Sequence, residues 1–139
     1  MIVLDTDSLT LFFRNHPRVC ERLREAPEEV AITIISRIET LQGRFATLLK
    51  AADSAELERG QQRLDQAERD LARIPKVLAI DAAAAAEFER LRGNKKLKKI
   101  GRADLLIAAI TLANKATLVT RNLKHFREVP GLPVENWAD

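Results

Sequence analysis

The segment Met1-Ile2-Val3-Leu4-Asp5-Thr6-Asp7 decides how the rest of the chain is read. Ile2, Val3 and Leu4 form an unbroken apolar run rich in β-branched residues. That is the pattern of a strand buried on both faces, as in parallel sheets. The run ends on Asp5, followed by Thr6 and Asp7. A carboxylate at the end of a buried strand is costly unless a charged or hydrogen-bonding group meets it there. In open α/β sheets the carboxyl end of a strand is also where ligands bind. The functional reading therefore turns on what else arrives at Asp5.

A chain of 139 residues is long enough for one domain with a genuine core. Hydrophobic content of 46% beside 31% charged residues is ordinary for a globular protein and argues against disorder. No apolar run approaches the roughly 20 residues that a membrane helix needs. With an acid at position 5 and no basic stretch before it, the N-terminus is not expected to be a signal peptide. The single cysteine, Cys20, has no internal disulfide partner and no companions for a thiolate metal site, so a reducing cytoplasm is the expected compartment. Net charge is only +3, but the positives are uneven: Arg90 to Arg102 (RLRGNKKLKKIGR) holds seven basic residues and no acid. Arg121, Lys124, His125 and Arg127 form a second group. Such runs are either solvated loops or a surface that releases counterions from a phosphate backbone. Stacking aromatics are scarce, with no Tyr and one Trp, which argues against a single-strand stacking platform.

Onward from Asp7, the stretch Ser8 to Arg14 reads as a short helix that Asp7 would N-cap, and Pro17 opens another to about Glu25. Val30 to Ile35 (VAITII) is a second strand; Ser36 ends it and starts a helix with Ile38, Leu41, Phe45, Leu48 and Leu49 at helical spacing. Gly43, within that helix, suggests a close backbone approach. Residues 54–74 form a long charged amphipathic helix stopped by Pro75; with its predecessor it makes a helical hairpin over about 36–74, read as a clamp on a partner or a second copy. Val77 to Ile80 is a third strand, with Asp81 capping the alanine-rich helix that follows. Gly101 to Lys115 is apolar on nearly every side after its first turn, so it should be central and buried. Thr117 to Val119 is a fourth strand, and Leu132 to Glu135 a last extended piece at the sheet edge. Strands alternating with helices imply right-handed crossovers and a doubly wound α/β fold with four or five parallel strands between helical layers.

In that architecture four polar groups converge on one edge: Asp5, Glu39 in the first turn of the helix after strand two, Asp104 in the first turn of the buried helix, and Asn122 just past strand four. Three carboxylates and an amide suit a hard divalent cation such as Mg²⁺ or Mn²⁺. Each residue alone has a plainer role. Ser36-Arg-Ile-Glu39 is a capping-box pattern, Asp104 is favoured by the helix dipole, and Asn122 or Asp7 would serve as caps. It is their coincidence at one edge that points to a metal site. Arg102, near Asp104, and Arg121, beside Asn122, would either meet a substrate backbone or carry surface charge at helix ends.

These residues also carry a family resemblance. LDTDSL at residues 4–9, ISRIETLQG at 35–43, GRADLLIAA at 101–109, and LVTRNLKHF at 118–126 followed by VPGLPVENW resemble the PIN-domain ribonucleases of the VapC toxin family, in that family's order and over nearly the whole chain. The resemblance implies a PIN-like three-layer fold and a Mg²⁺-dependent endoribonuclease. It makes Asp5 and Asp104 the principal metal ligands, Glu39 the third acid and Asn122 the fourth position. It puts Thr6, Ser36 and Thr120 where such proteins orient the site or the scissile phosphate; Asp7, read from the residues alone, is a cap first and a supporting acid behind the site second. It further implies tRNA as substrate class, a cognate VapB-like antitoxin and a homodimer; the hairpin around residues 44–72 is the expected antitoxin grip. Many PIN domains have Asp where this chain has Asn122, so one tightly bound ion is expected. Glu39 is left either as a ligand or as the group that orients or deprotonates the attacking water.

Two other classes compete. Asp5-Thr-Asp7 after an apolar strand also resembles the D-x-D of HAD-type phosphatases, although the later acidic pair of that family is missing. The third class is a nucleic-acid-binding or scaffold PIN domain without activity; retention of all three acids argues against it.

Overall fold

Strand β1 (Ile2–Leu4) is buried along its whole length and divides the core in two. Ile2 and Leu4 join a cluster on one face with Leu9, Val19, Ile32, Leu71 and Val119. Val3 joins the larger cluster on the other face with Ala31, Ile107, Ile110 and Leu118. This alternation is the two-residue repeat of a strand covered on both sides. Each fully buried aliphatic side chain contributes roughly 1.5–3 kcal/mol relative to exposure, so the short strand is held by its faces more than by its length.

The computed structural model describes residues 1–139. Beside β1 lie β2 (Val30–Thr33), β3 (Val77–Leu78), β4 (Thr117–Val119) and β5 (Val134–Glu135), all parallel, in the order β3-β2-β1-β4-β5. Leu4 pairs in register with Ile32 on one side and Val119 on the other. Helices α1 (Thr6–Phe13), α2 (Pro17–Glu25) and α4 (Ser54–Ala72) supply the first cluster; α5 (Ala82–Arg92) and α6 (Arg102–Ala113) supply the second. Helix α3 (Ile34–Leu49) pairs with α4 as the expected hairpin, and α7 (Leu123–Phe126) follows β4. This is the three-layer α/β arrangement expected. No helix is long and apolar enough to cross a membrane. The chain leaves β1 toward β2 and later returns to β4 on β1's opposite side, so the crevice between the carboxyl ends of β1 and β4 is the topological switch point.

Local chemistry shifts several element boundaries. Asp5, not Asp7, caps α1: its side chain accepts from Ser8 N at 2.8 Å, and Asp7 sits exposed in the first turn. Strand β2 stops at Thr33 because the Thr33 hydroxyl accepts from Ser36 N at 3.2 Å and starts α3 there. The Ser36–Glu39 capping box therefore does not form; Ser36 is buried inside the first turn and Glu39 lies in the second. Strand β3 is shorter than expected, ending at Leu78, while Asp81 caps α5 as expected by accepting from Ala84 N. Helix α6 is buried, with Ile107 through Ile110 wholly inaccessible.

The close approach expected at Gly43 is not there, since nothing lies within 4 Å of where its Cβ would be. It occurs at Gly60 on α4, where a Cβ would stand 2.8 Å from Leu48 Cδ1 and 3.4 Å from Leu48 Cα. Gly60→Leu should overpack the hairpin seam and lower stability by about 1–3 kcal/mol, as overpacked cores do. Thermal denaturation of the purified variant checks this, with Gly43→Leu as the tolerated control.

Candidate functional site

Asp5, Thr6, Asp7 and Thr10 from the β1–α1 segment, Glu39 from α3, Asp104 from α6, Arg121, Asn122 and Phe126 after β4, and Asp139 line one open cleft of about 680 Å³ at the switch point. The parallel sheet explains the gathering. Asp5 and Asn122 lie beyond the carboxyl ends of neighbouring strands. Helix α6 starts at that edge and runs back antiparallel to the strands to feed β4, so its first turn presents Asp104 beside them. Gly101, the N-cap of α6, provides no side-chain cap, which leaves the Asp104 charge to meet the exposed N–H groups of that helix end.

Three hydroxyls hold the carboxylates in place. Thr120, fully buried, hydrogen-bonds the Asp5 side chain and accepts from Asn122 N at 2.9 Å, tying the end of β4 to the end of β1. Thr6 donates to Glu39 Oε1 at 2.6 Å. Its one hydroxyl proton is thereby used, so the 2.9 Å contact with Ser36 is a bond donated by Ser36. The relay Ser36–Thr6–Glu39 engages one Glu39 oxygen and leaves the other for the cleft. Asn122 Nδ2 lies 3.1 Å from His125 Nδ1, so the amide bonds a ring three residues on and makes no cap for α7.

The electrostatics are unusual for a folded surface. Asp5 is only 6% exposed, and burial pushes its carboxyl above the ordinary 3.8; bonds from Thr120 and Ser8 oppose the rise, and the Asp7 charge adds to it. Asp104 is also raised, first by burial, then by the charges of Asp5 and Glu39, with His125 pulling the other way. None of Asp5, Asp7, Glu39 and Asp104 belongs to any ion pair in the molecule. Unpaired carboxylates of one sign, held by hydroxyls and facing a cleft, are donors of the hard oxygen type that suits Mg²⁺ or Mn²⁺. No three His, Cys, Asp or Glu side chains are gathered tightly enough to enclose an ion by themselves. Mg²⁺ commonly takes one or two carboxylates and keeps waters for its other positions, and an open cleft of this kind offers that arrangement.

Arg102 is the sequence candidate that the structure keeps apart. Its guanidinium lies 4.9 Å above the Phe88 ring, in a separate depression with Leu97 and Ile100, not in the acidic cleft. Arg121 does reach the cleft rim. Thr10, Phe126 and Asp139 line the cleft and His125 influences Asp104, yet sequence reasoning singled out none of the four for the site. His125 stood three residues from Asn122, a spacing at which helical side chains meet. Asp139 had no such signal, because its place depends on Trp137 and Ala138 being buried just before it.

Comparison with known proteins agrees with this geometry. A family model, PIN domain, matches residues 2–132. The chain belongs to the PIN-domain family. Among PIN proteins it is homologous to the VapC ribonucleases. It is 36% identical to Ribonuclease VapC2 of Rickettsia felis over 91 residues, 60% of this chain and 68% of that protein. It is 26% identical to the tRNA(fMet)-specific endonuclease VapC of Salmonella typhimurium over 139 residues, 98% of this chain and 97% of the other. The crystal structure of VapBC2 from Rickettsia felis bound to a promoter DNA fragment superposes with a TM-score of 0.77 at 30% identity, covering 99% of each chain. PIN-family membership rather than the HAD type accounts for the Asp5-Thr-Asp7 segment.

Raised folded-state carboxyl pKa values have a definite consequence. The folded protein binds the Asp104 proton more tightly than the unfolded chain does, so stability falls as pH rises from about the unfolded value, 3.8, through the raised folded value. At neutral pH in EDTA, Asp104→Asn should therefore raise Tm. The gain should shrink as pH is lowered through the ordinary carboxylate range. Paired thermal melts across pH check both the sign and the window.

Proposed function

We propose that the chain is a Mg²⁺-dependent endoribonuclease, the toxin of a toxin–antitoxin pair, and that structured RNA of the tRNA class is its substrate. The observation that carries the reading is the set of buried or half-buried acids, led by Asp5 and Asp104, that meet at the switch point without forming an ion pair. Homology to a ribonuclease and to a tRNA(fMet)-specific endonuclease supports the reaction and the substrate class.

Asp5 and Asp104 would hold the cation, with Glu39 at its side. Bound there, Mg²⁺ supplies a Lewis acid for a phosphate oxygen and lowers the pKa of a water. The residues do the rest. Thr120 and the Ser8 amide keep the Asp5 carboxylate aimed out of the sheet, so no reorganisation is needed when the site fills. The free Glu39 oxygen, steadied through Thr6, orients the attacking water or joins the ligand set. Arg121 at the rim would meet the scissile phosphate, and Asn122, neutral where a fourth acid would add charge, favours one ion over two. Asp5→Asn and Asp104→Asn should each lower cleavage of a labelled total tRNA pool by roughly two orders of magnitude or more. Mg²⁺ should raise the Tm of the unaltered protein and not that of Asp104→Asn. Absence of cleavage in Mg²⁺ and in Mn²⁺ by the unaltered protein would overturn the nuclease reading.

The VapBC structure that this chain resembles supports a VapB-like antitoxin as partner, and we assign its docking to the α3–α4 hairpin. Ile38, Leu41, Phe45 and Leu64 line an apolar depression of about 350 Å³, and Phe45 and Leu49 are 53% and 70% exposed. Contiguous apolar surface of this kind marks an interaction site. A cytoplasmic homodimer is the expected form of the toxin. Phe45→Asp should weaken antitoxin binding by roughly thirtyfold or more without loss of RNA cleavage, as isothermal titration beside the tRNA assay would read.

A further inference from the structure

We propose that a groove beside the acidic cleft, lined by Lys95, Lys96, Lys98, Lys99, Lys124 and His125, holds the phosphodiester backbone of the RNA strand on one side of the cleaved bond. This rests on the nuclease reading and adds to it the residues that bind and register the strand. The groove has a volume of about 530 Å³, and its sole acid is Glu128.

The basic run from Arg90 to Arg102 divides according to what each side chain meets. Arg90 pairs with Glu87 and Arg92 with Glu89 along α5, which neutralises both, and Arg102 lies over Phe88. The four lysines that remain have no ion-pair partner, nor does Lys124. An ordinary solvated face interleaves acids with bases, as α5 does. Here five like charges stand together, and a polyanion laid along them would relieve their mutual repulsion.

The backbone keeps them together. Leu97 and Ile100 alternate with the lysines and are 2% and 8% exposed in the core beneath, so the segment cannot swing away. Asn94 Oδ1 accepts from Lys96 N at 3.0 Å and starts the short 3₁₀ turn Lys95–Leu97. The groove also adjoins the cleft. His125 lines it, and its ring meets the amide of Asn122, which lines the cleft on the other side of α7. A strand leaving the acids over α7 thus enters the lysines directly. Lysine ammonium groups are point charges that grip phosphates without reading bases. Apart from the His125 ring no aromatic lines the groove, so its lysines set affinity and register and leave base choice to other residues.

The test uses the full chain. Labelled total tRNA is titrated by fluorescence anisotropy in EDTA against Asp104→Asn, alone and combined with Lys96→Gln, Lys99→Gln and Lys124→Gln, over a range of salt. The triple change should lower the slope of log affinity against log salt by roughly 2, about 0.7 for each phosphate left without its lysine. In the otherwise unaltered protein with Mg²⁺ it should raise KM roughly tenfold or more while kcat stays within about twofold. A matched control, Arg44→Gln, Arg59→Gln and Arg63→Gln, removes the same charge from the hairpin and should leave slope and KM unchanged. An unaltered slope in the lysine variant, or an equal fall in the control, would overturn the groove. Groove-dependent binding with no cleavage by the unaltered protein would overturn the nuclease reading and leave the groove standing.

Discussion

Asp5 is a carboxylate at the end of a central strand whose every other residue is buried, and the surrounding structure is arranged to keep it there. Burial disfavours its charge. The fold answers with hydroxyl and amide donors from Thr120, Ser8 and the start of α1 rather than with a lysine or arginine. A salt bridge would have been the simpler way to stabilise a buried charge, but it would also have filled the position that a cation needs. Neutral donors hold the carboxylate's direction and leave its charge available. The stability lost to Asp5 and Asp104 at neutral pH would be regained on binding of the proposed cation, because a ligand that binds only the folded state stabilises it.

The same separation of charge extends over the surface around the site. Acids collect in the cleft at the switch point, and unpaired lysines collect in the groove across α7. Arginines that might have blurred this division are drawn off, Arg90 and Arg92 by glutamates on their own helix and Arg102 by Phe88. Acidic and basic depressions thus occupy adjoining parts of one edge, while the apolar side of the α3–α4 hairpin lies outside both. The three proposed kinds of recognition (cation, polyanion and apolar partner) would therefore not compete for the same atoms.

Several features were legible because they depend on short-range pattern. The apolar run before Asp5, the buried character of α6, the capping by Asp81 and the parallel alternation of strands and helices all follow from neighbouring residues. Errors fell where two local signals competed. Asp7 and Asp5 both offered a cap for α1, and Ser36 and Thr33 both offered one for α3. In each case the residue nearer the buried strand won, since its backbone was already fixed in the extended conformation that an N-cap requires. The consequence at Ser36 was functional as well as structural: freed from capping, its hydroxyl supports Thr6, and Thr6 supports Glu39.

Residue order alone therefore established the fold class, the strand that carries Asp5 and the acids that would join it, because buried strands and helix first turns are written in local spacing and composition. Which side chains touch was decided by the tertiary structure. Arg102 follows Gly101 into the same helix turn as Asp104, yet its long side chain turns onto Phe88, because a guanidinium finds a face to lie on there. Gly60 rather than Gly43 meets the opposing helix because the way α3 packs against α4, not the presence of a glycine, sets the point of closest approach. Lys124 joins the lysines of residues 95–99 across a helix and a strand of intervening chain. No local pattern could pair them, since their meeting depends on how α6 and β4 pack between them.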